Sequence, residues 1–120
     1  MSLYVSYEIA VLLKEKGFDL PTIACYHKEY KVLGFCLVPT DFNNSDYTNV
    51  VSAPTHQEVV DWFLNKYKIF IEIRLLRNKN KFYYTLYYLE KGDGLTLLGT
   101  DSYETPFDAM EAAIKYKLSS

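Results

Sequence analysis

Two apolar runs separated by four polar residues constrain this chain more than any other feature. In residues 69–75, isoleucine or leucine occupies every second position, which is the period of a strand with one buried face. Residues 82–89 are rich in tyrosine and other strand-forming side chains, and residues 77–80 between the two runs are turn-forming. A four-residue loop gives a register in which both apolar stripes fall on one face. The predicted pairs are Leu75–Phe82, Ile73–Tyr84, Ile71–Leu86 and Ile69–Tyr88.

A third strand is expected after this hairpin. Residues 91–94, Lys-Gly-Asp-Gly, predict a second turn with glycines where φ can be positive. Leu95 and Leu97 then continue the same inner face. Residues 69–99 are therefore predicted to form a three-stranded antiparallel meander.

The opposite face of this meander is also aromatic, because Phe70, Tyr83 and Tyr87 alternate with the inner stripe. Two interpretations compete. The amino-terminal half of the chain, or a second copy of it, covers this face as further core, or the face is a surface that binds a ligand. Large exposed apolar patches are uncommon on monomers, so we favour a covered face.

Three helices are predicted from their start signals. The first helix, residues 6–16, begins with Ser6 as its N-cap and ends before Gly17. The last helix, residues 105–117, begins with Thr105 as its N-cap and has proline at the first helical position. For residues 55–66, Thr55 and Glu58 form a capping box. The buried stripe of that helix is predicted to be Val59, Val60, Phe63, Leu64 and Tyr67. Trp62 lies off the stripe, where it covers the helix flank or meets a partner.

The amino-terminal half carries weaker signals. Residues 22–38 indicate a hairpin of uncertain register, and residues 39–52 indicate a long polar loop. The helix and hairpin are expected to extend or cover the meander. The whole chain is predicted to be one α+β domain, residues 1–120, whose second half has the order αβββα.

Composition limits the function. With 120 residues and a net charge of −2, the chain suits one domain without bulk attraction to nucleic acid or membrane. No apolar run approaches the ~20 residues that span a bilayer, and the start lacks a signal-peptide pattern, so we expect a cytoplasmic protein. Neither a phosphate-binding glycine loop nor a zinc-protease motif is present. The spacing of Cys25, His27, Cys36 and His56 matches no zinc pattern, and His56, at the start of a helix, is expected to be solvated. We predict no catalytic residue, no metal site, no cofactor and no enzymatic activity.

Charge is unevenly distributed. Residues 66–81 contain six basic side chains and one acid, whereas residues 90–111 contain six acids and one base. Solubility explains this pattern most simply. Two functional interpretations remain open: Arg77, Lys79 and Lys81 contact the phosphates of a single-stranded nucleic acid while Tyr83 and Tyr87 stack on bases, or the opposite charges orient two self-associating subunits.

Two resemblances bear on these alternatives. The αβββα order resembles a double-stranded RNA-binding domain, which would present lysines at the start of its last helix. Here that start is Pro106-Phe107-Asp108-Ala109-Met110-Glu111, whose acids would repel phosphate, so the function is not carried over.

A second resemblance covers nearly the full chain. It lies in residues 4–6 (Tyr-Val-Ser), 12–19 (Leu-Leu-Lys-Glu-Lys-Gly-Phe-Asp), 53–55 (Ala-Pro-Thr), 62–64 (Trp-Phe-Leu), 71–73 (Ile-Glu-Ile) and 109–114 (Ala-Met-Glu-Ala-Ala-Ile). These segments resemble a group of small uncharacterised proteins encoded by phages and prophages of anaerobic gut bacteria. The resemblance implies an origin in a mobile element and points to no reaction.

The leading hypothesis is a non-enzymatic module that binds another protein, with a homodimer as one form of that binding. The candidate surface is formed by Trp62, Phe70, Tyr83 and Tyr87. The alternative is single-stranded nucleic-acid binding through Arg77, Lys79 and Lys81.

Overall fold

A computed structural model describes residues 3–89, 95–98 and 101–119, with only the backbone of residues 95–98. The chain divides into two compact units, Ser2–Thr55 and His56–Ser120. Within the described residues, three helices accompany two antiparallel three-stranded sheets. The predicted α+β class is confirmed, while a single domain over residues 1–120 stays a prediction.

The carboxyl-terminal unit has the predicted αβββα order. It contains α2 (His56–Tyr67), β4 (Ile69–Leu76), β5 (Lys81–Tyr88), β6 (Leu95–Leu98) and α3 (Pro106–Leu118). Its strands form an antiparallel sheet in the order β4-β5-β6, which is the predicted meander. The turn expected at residues 91–94 lies outside the described residues, as do the side chains of Leu95 and Leu97.

The β4–β5 register matches the prediction at all four predicted pairs, from Leu75 opposite Phe82 to Ile69 opposite Tyr88. Leu76 pairs with Lys81, so the loop between the strands has four residues. Arg77–Lys79 form one 3₁₀ turn, and Asn80 follows with φ 51° in the left-handed region. Asparagine tolerates that region better than most residues, which explains its place at the end of the loop.

Burial of the inner face changes along the hairpin. Ile69, Ile71 and Leu86 are buried at the end where α2 and α3 pack on the strands, whereas Leu75 near the 3₁₀ turn is half-exposed. The period of two is therefore correct throughout, but the helices cover only part of the stripe that it predicts.

The buried side of α2 differs from the prediction at its two flanks. Val59, Val60 and Phe63 are buried as predicted, but Leu64 is exposed and Trp62 is buried. Trp62 and Leu64 lie about 100° to either side of Phe63, so angle alone could not decide between them. The Trp62 ring lies 5.5 Å from the Tyr67 ring in an edge-to-face contact, which favours the tryptophan side.

The ends of α3 follow their sequence signals. Thr105 Oγ1 accepts a hydrogen bond of 3.0 Å from the backbone N–H of Asp108, and Pro106 is the first helical residue. Ala109 and Ala113 are fully buried, as expected for positions that allow close approach to a sheet. Phe107 and Met110 of the same helix are only half-buried.

The amino-terminal unit contains α1 (Tyr7–Glu15), β1 (Thr22–His27), β2 (Leu33–Thr40) and β3 (Val50–Ser52). Its strand order is β2-β1-β3, so the predicted hairpin forms its own sheet. The expectation that it extends the meander is wrong. The second edge of β1 pairs with β3, which we placed in the loop because three residues are too few to show a period.

Both ends of α1 are capped as predicted. Ser6 Oγ accepts from the backbone N–H of Ile9 at 3.3 Å. At the other end, Gly17 has φ 89°, its N–H donates to the Lys14 carbonyl, and the Phe18 N–H donates to the Leu13 carbonyl. This pair of bonds is a Schellman motif, and the buried Phe18 supplies its hydrophobic contact. Leu20, two residues further along the chain, is exposed.

We expect Gly17→Ala to lower the free energy of unfolding by about 1 kcal/mol, because alanine is strained at φ 89°. Gly34→Ala is the matched control: its added Cβ would meet the Cys25 carbonyl oxygen at an unstrained 4.0 Å. Urea unfolding of both variants measures the difference. Equal losses in the two variants would contradict the role given to Gly17.

Two buried threonines in strands differ in one hydrogen bond. Thr22 and Thr85 are each 1% exposed. Thr22 Oγ1 donates to the Ala24 carbonyl at 2.7 Å, whereas Thr85 Oγ1 has no hydrogen-bond partner among the described residues. A buried hydroxyl without a partner loses its hydration without compensation.

Thr85→Val should therefore raise the free energy of unfolding by about 0.5–1 kcal/mol, because the new methyl group replaces an unpaired hydroxyl. Thr22→Val should lower it by about 1 kcal/mol, because the buried bond from Thr22 Oγ1 is lost and the Ala24 carbonyl keeps only the bond from the Ala53 N–H. Thermal unfolding of the two variants tests the contrast, and a loss of stability in Thr85→Val would show that its hydroxyl is paired.

Candidate interaction surface

Trp62, the first residue of the predicted aromatic surface, is part of the core. Its side chain is 5% exposed, and its ring contacts Phe63 at 5.8 Å between centroids. The Lys66 ammonium lies 4.8 Å from the centroid of the Trp62 ring. Trp62 therefore has little area left to offer a partner, and its place in the predicted surface is corrected.

The other three aromatic residues lie together on the second face of the β4–β5 hairpin. Phe70 is 39% exposed, with its ring 6.4 Å from that of Tyr87. The Tyr87 hydroxyl donates to Glu72 Oε1 at 3.4 Å, and Tyr83 is half-buried opposite Arg74. Side chains of this face thus partly cover one another. Of the three aromatic residues, Phe70 is exposed, and Tyr83 and Tyr87 are half-buried.

The basic hairpin is partly neutralised. Arg77 and Lys79 are exposed on the 3₁₀ turn, but Lys81 Nζ lies 3.1 Å from Glu104 Oε1. Arg74 Nε lies 3.3 Å from Glu72 Oε1. Two of the four cations near the turn are therefore paired with carboxylates that would compete with phosphate.

A larger apolar surface lies in the amino-terminal unit, where no sequence pattern predicted it. Strand β2 is the edge of its sheet. Leu37 is fully exposed at 101%, Val38 is 68% exposed and Phe35 is 64% exposed. Val32 and Ile23 beside them are exposed as well. We call these five residues, Ile23, Val32, Phe35, Leu37 and Val38, the β2 edge patch.

The register of β1 and β2 explains why Leu37 projects. Thr22 pairs with Thr40 and Ala24 pairs with Phe35, so residues 36–39 bulge out opposite the single residue Ile23. The Cys36 thiol and the Thr40 hydroxyl both donate to the Val38 carbonyl at 2.9 Å. These two bonds hold the bulge in a shape that leaves Leu37 and Val38 in solvent.

The patch wraps around the strand edge. Phe35 shares the face of its buried partner Ala24, and its ring contacts Tyr4 at 5.4 Å between centroids. Ile23, one position before Ala24 in β1, points to the opposite face. A partner that covers all five side chains must therefore engage the edge of the sheet.

Cys25 and His27, two side chains that could take part in chemistry, both lie in β1 and are partly buried. Burial, and after it the neighbouring Cys36, raises the pKa of Cys25 above its ordinary value, which disfavours the reactive thiolate. His27 lines an open pocket of about 390 Å³ with Lys28, Glu29, Thr48 and Asn49.

His56, which we expected to be solvated, is instead 6% exposed, and its Nε2 lies 2.9 Å from Glu111 Oε2. Its ring also lies 5.2 Å from that of Phe107. A histidine held in this way stabilises the start of α2 against α3.

Within the part of the chain that the structure describes, no group of three or more histidine, cysteine, aspartate or glutamate side chains is arranged to hold a metal ion. In the same residues, no helix combines the length and the apolar character that crossing a membrane requires.

Comparison with protein-family models, with curated proteins and with solved structures gave no match.

Proposed function

We propose that this protein is a non-enzymatic protein–protein interaction module of phage type, and that the β2 edge patch is its contact surface. The observation that carries the proposal is the complete exposure of Leu37 between two other exposed apolar side chains, Phe35 and Val38. Contiguous apolar surface of this kind costs solubility and is typical of sites that are covered by a partner.

The chemistry of the patch favours a protein as the partner. Residues 32–40 contain no charged side chain, so nothing in the strand would attract phosphate groups. Leu37 lies on a convex bulge, whereas small molecules bind in concave pockets. An apolar projection of this kind fits a hydrophobic recess of another protein, where a buried leucine contributes about 1.5–3 kcal/mol.

A photo-crosslinking amino acid at position 37 tests the proposal. With p-benzoylphenylalanine in place of Leu37, illumination of cells that produce the protein should yield covalent protein adducts. The same substitution at Leu89, which is exposed in the other unit, is the control. Adducts at position 37 and few at position 89 are expected. Equal yields at the two positions, or none at either, would overturn the proposal.

Single-stranded nucleic-acid binding is the second candidate, favoured by the exposure of Arg77 and Lys79 on one turn. It requires affinity that falls with salt and is lost in Arg77→Ala/Lys79→Ala. Because Lys81 and Arg74 are paired with acids, we expect a labelled oligonucleotide to bind weakly or not at all at physiological salt. Tight, salt-sensitive binding that the double variant abolishes would reverse the order of the two candidates.

A further inference from the structure

We infer that the partner of the β2 edge patch is a second copy of this chain, docked edge to edge through side chains with the two β2 strands antiparallel. The inference rests on the proposed function and names its partner. It draws on the charges at the two ends of β2, the absence of charge along it, and the area that the patch offers.

The two ends of β2 carry opposite charge. The turn before the strand has Lys28 and Lys31, both exposed, with Glu29 as its one acid. Asp41 follows the strand directly and Asp46 lies in the next loop, and no lysine or arginine occurs between Lys31 and Lys66. One end of β2 is therefore net positive and the other is purely negative.

Contacts within the unit concentrate the positive charge at the turn. Burial, and after it the neighbouring Lys28, lowers the pKa of Lys14, so these two amines lie close together. The Lys31 ammonium lies 5.4 Å from the centroid of the Tyr7 ring, which holds it near the start of β2. A carboxylate of a partner would find several amines at this end.

An isologous contact uses the same surface of both copies. In an antiparallel contact, the charge at one end of β2 must therefore complement the charge at the other end of the partner's β2. In an antiparallel arrangement, Lys31 of each copy approaches Asp41 of the other, and both ends of the interface are attractive. A parallel arrangement would place lysine beside lysine and aspartate beside aspartate. Between these ends the uncharged strand introduces no repulsion.

The area is sufficient for a weak dimer. Taking about 150 Å² for a fully exposed large side chain, the exposed fractions of the five patch residues amount to about 500 Å² per chain. A pair that covered all five residues completely would bury about 1,000 Å², near the smallest total that a specific interface needs. Tyr30 and the charged residues at the rim add to this area. The expected dimer dissociates at micromolar concentrations.

Sedimentation of the full chain from about 1 µM to about 1 mM covers the range in which such an interface dissociates. We expect a monomer–dimer equilibrium for the wild type. Leu37→Glu should weaken it at least about a hundredfold, since both copies lose a buried leucine. Because the Leu37 side chain is not buried in the free chain, the variant should keep the wild-type unfolding temperature at concentrations at which the wild type is monomeric. Leu89→Glu is the control for an added charge and should leave the equilibrium unchanged.

Charge reversal tests the antiparallel arrangement. Lys31→Asp and Asp41→Lys should each weaken self-association about tenfold, because each variant opposes like charges twice. An equimolar mixture of the two variants should associate like the wild type, since every aspartate then meets a lysine. Aspartate tolerates the positive φ of 56° at position 31. Asp41 Oδ1 accepts from the Asn43 N–H, so Asp41→Asn, which keeps an acceptor, separates loss of charge from loss of the turn.

The outcomes separate this inference from the proposed function. Both are supported if Leu37→Glu abolishes dimerisation and if mixing Lys31→Asp with Asp41→Lys restores it. A chain that stays monomeric to about 1 mM, yet forms adducts of other masses at position 37, overturns self-association and leaves the proposed function standing. A monomer without adducts overturns both. A dimer that Leu37→Glu leaves intact places the contact elsewhere and overturns the inference.

Discussion

The pairing of β4 with β5 decides the environment of most side chains in the carboxyl-terminal unit. Because successive residues of a strand point to opposite faces, a shift of one residue would turn Ile69, Ile71 and Leu86 away from the helices. The four-residue loop with Asn80 in the left-handed region makes that shift costly. α2 and α3 find an apolar face to cover only because this register holds, and the position of Phe70, Tyr83 and Tyr87 on the other face follows from it.

Local signals in the sequence predicted most of the fold. N-caps at Ser6 and Thr105, the glycine after α1 and the period of β4 each depend on neighbours within a few residues, so they can be read without tertiary information. The failures depend on long-range packing. Whether Trp62 or Leu64 is buried depends on what α2 packs against, and β3 exists because β1 has a free edge for it. His56 is buried because Glu111, which lies 55 positions later, meets its ring.

The candidate surface was the least predictable part. Aromatic content drew attention to Trp62, Phe70, Tyr83 and Tyr87, but one of these is core, and the other three lie on a face whose side chains contact one another. The β2 edge patch misleads in the opposite direction, because its sequence resembles a buried strand. A continuous apolar run usually indicates a strand that is buried on both faces. Only the strand order and the bulge at residues 36–39 show that this run lies in solvent. The sequence shows only that residues 32–40 lack charge, and this property is shared by buried strands and by edge strands that bind a partner.

Pro39 gives the β2 edge a further property. An unprotected edge strand is a template on which chains can add without limit, as they do in fibres. Proline has no N–H to donate, and the Val38 carbonyl next to it already accepts two bonds from within the strand. A continuous backbone ladder therefore cannot pass residues 36–39. The chain can keep a strongly apolar edge in solution because side chains there remain available for contact while the backbone cannot seed growth.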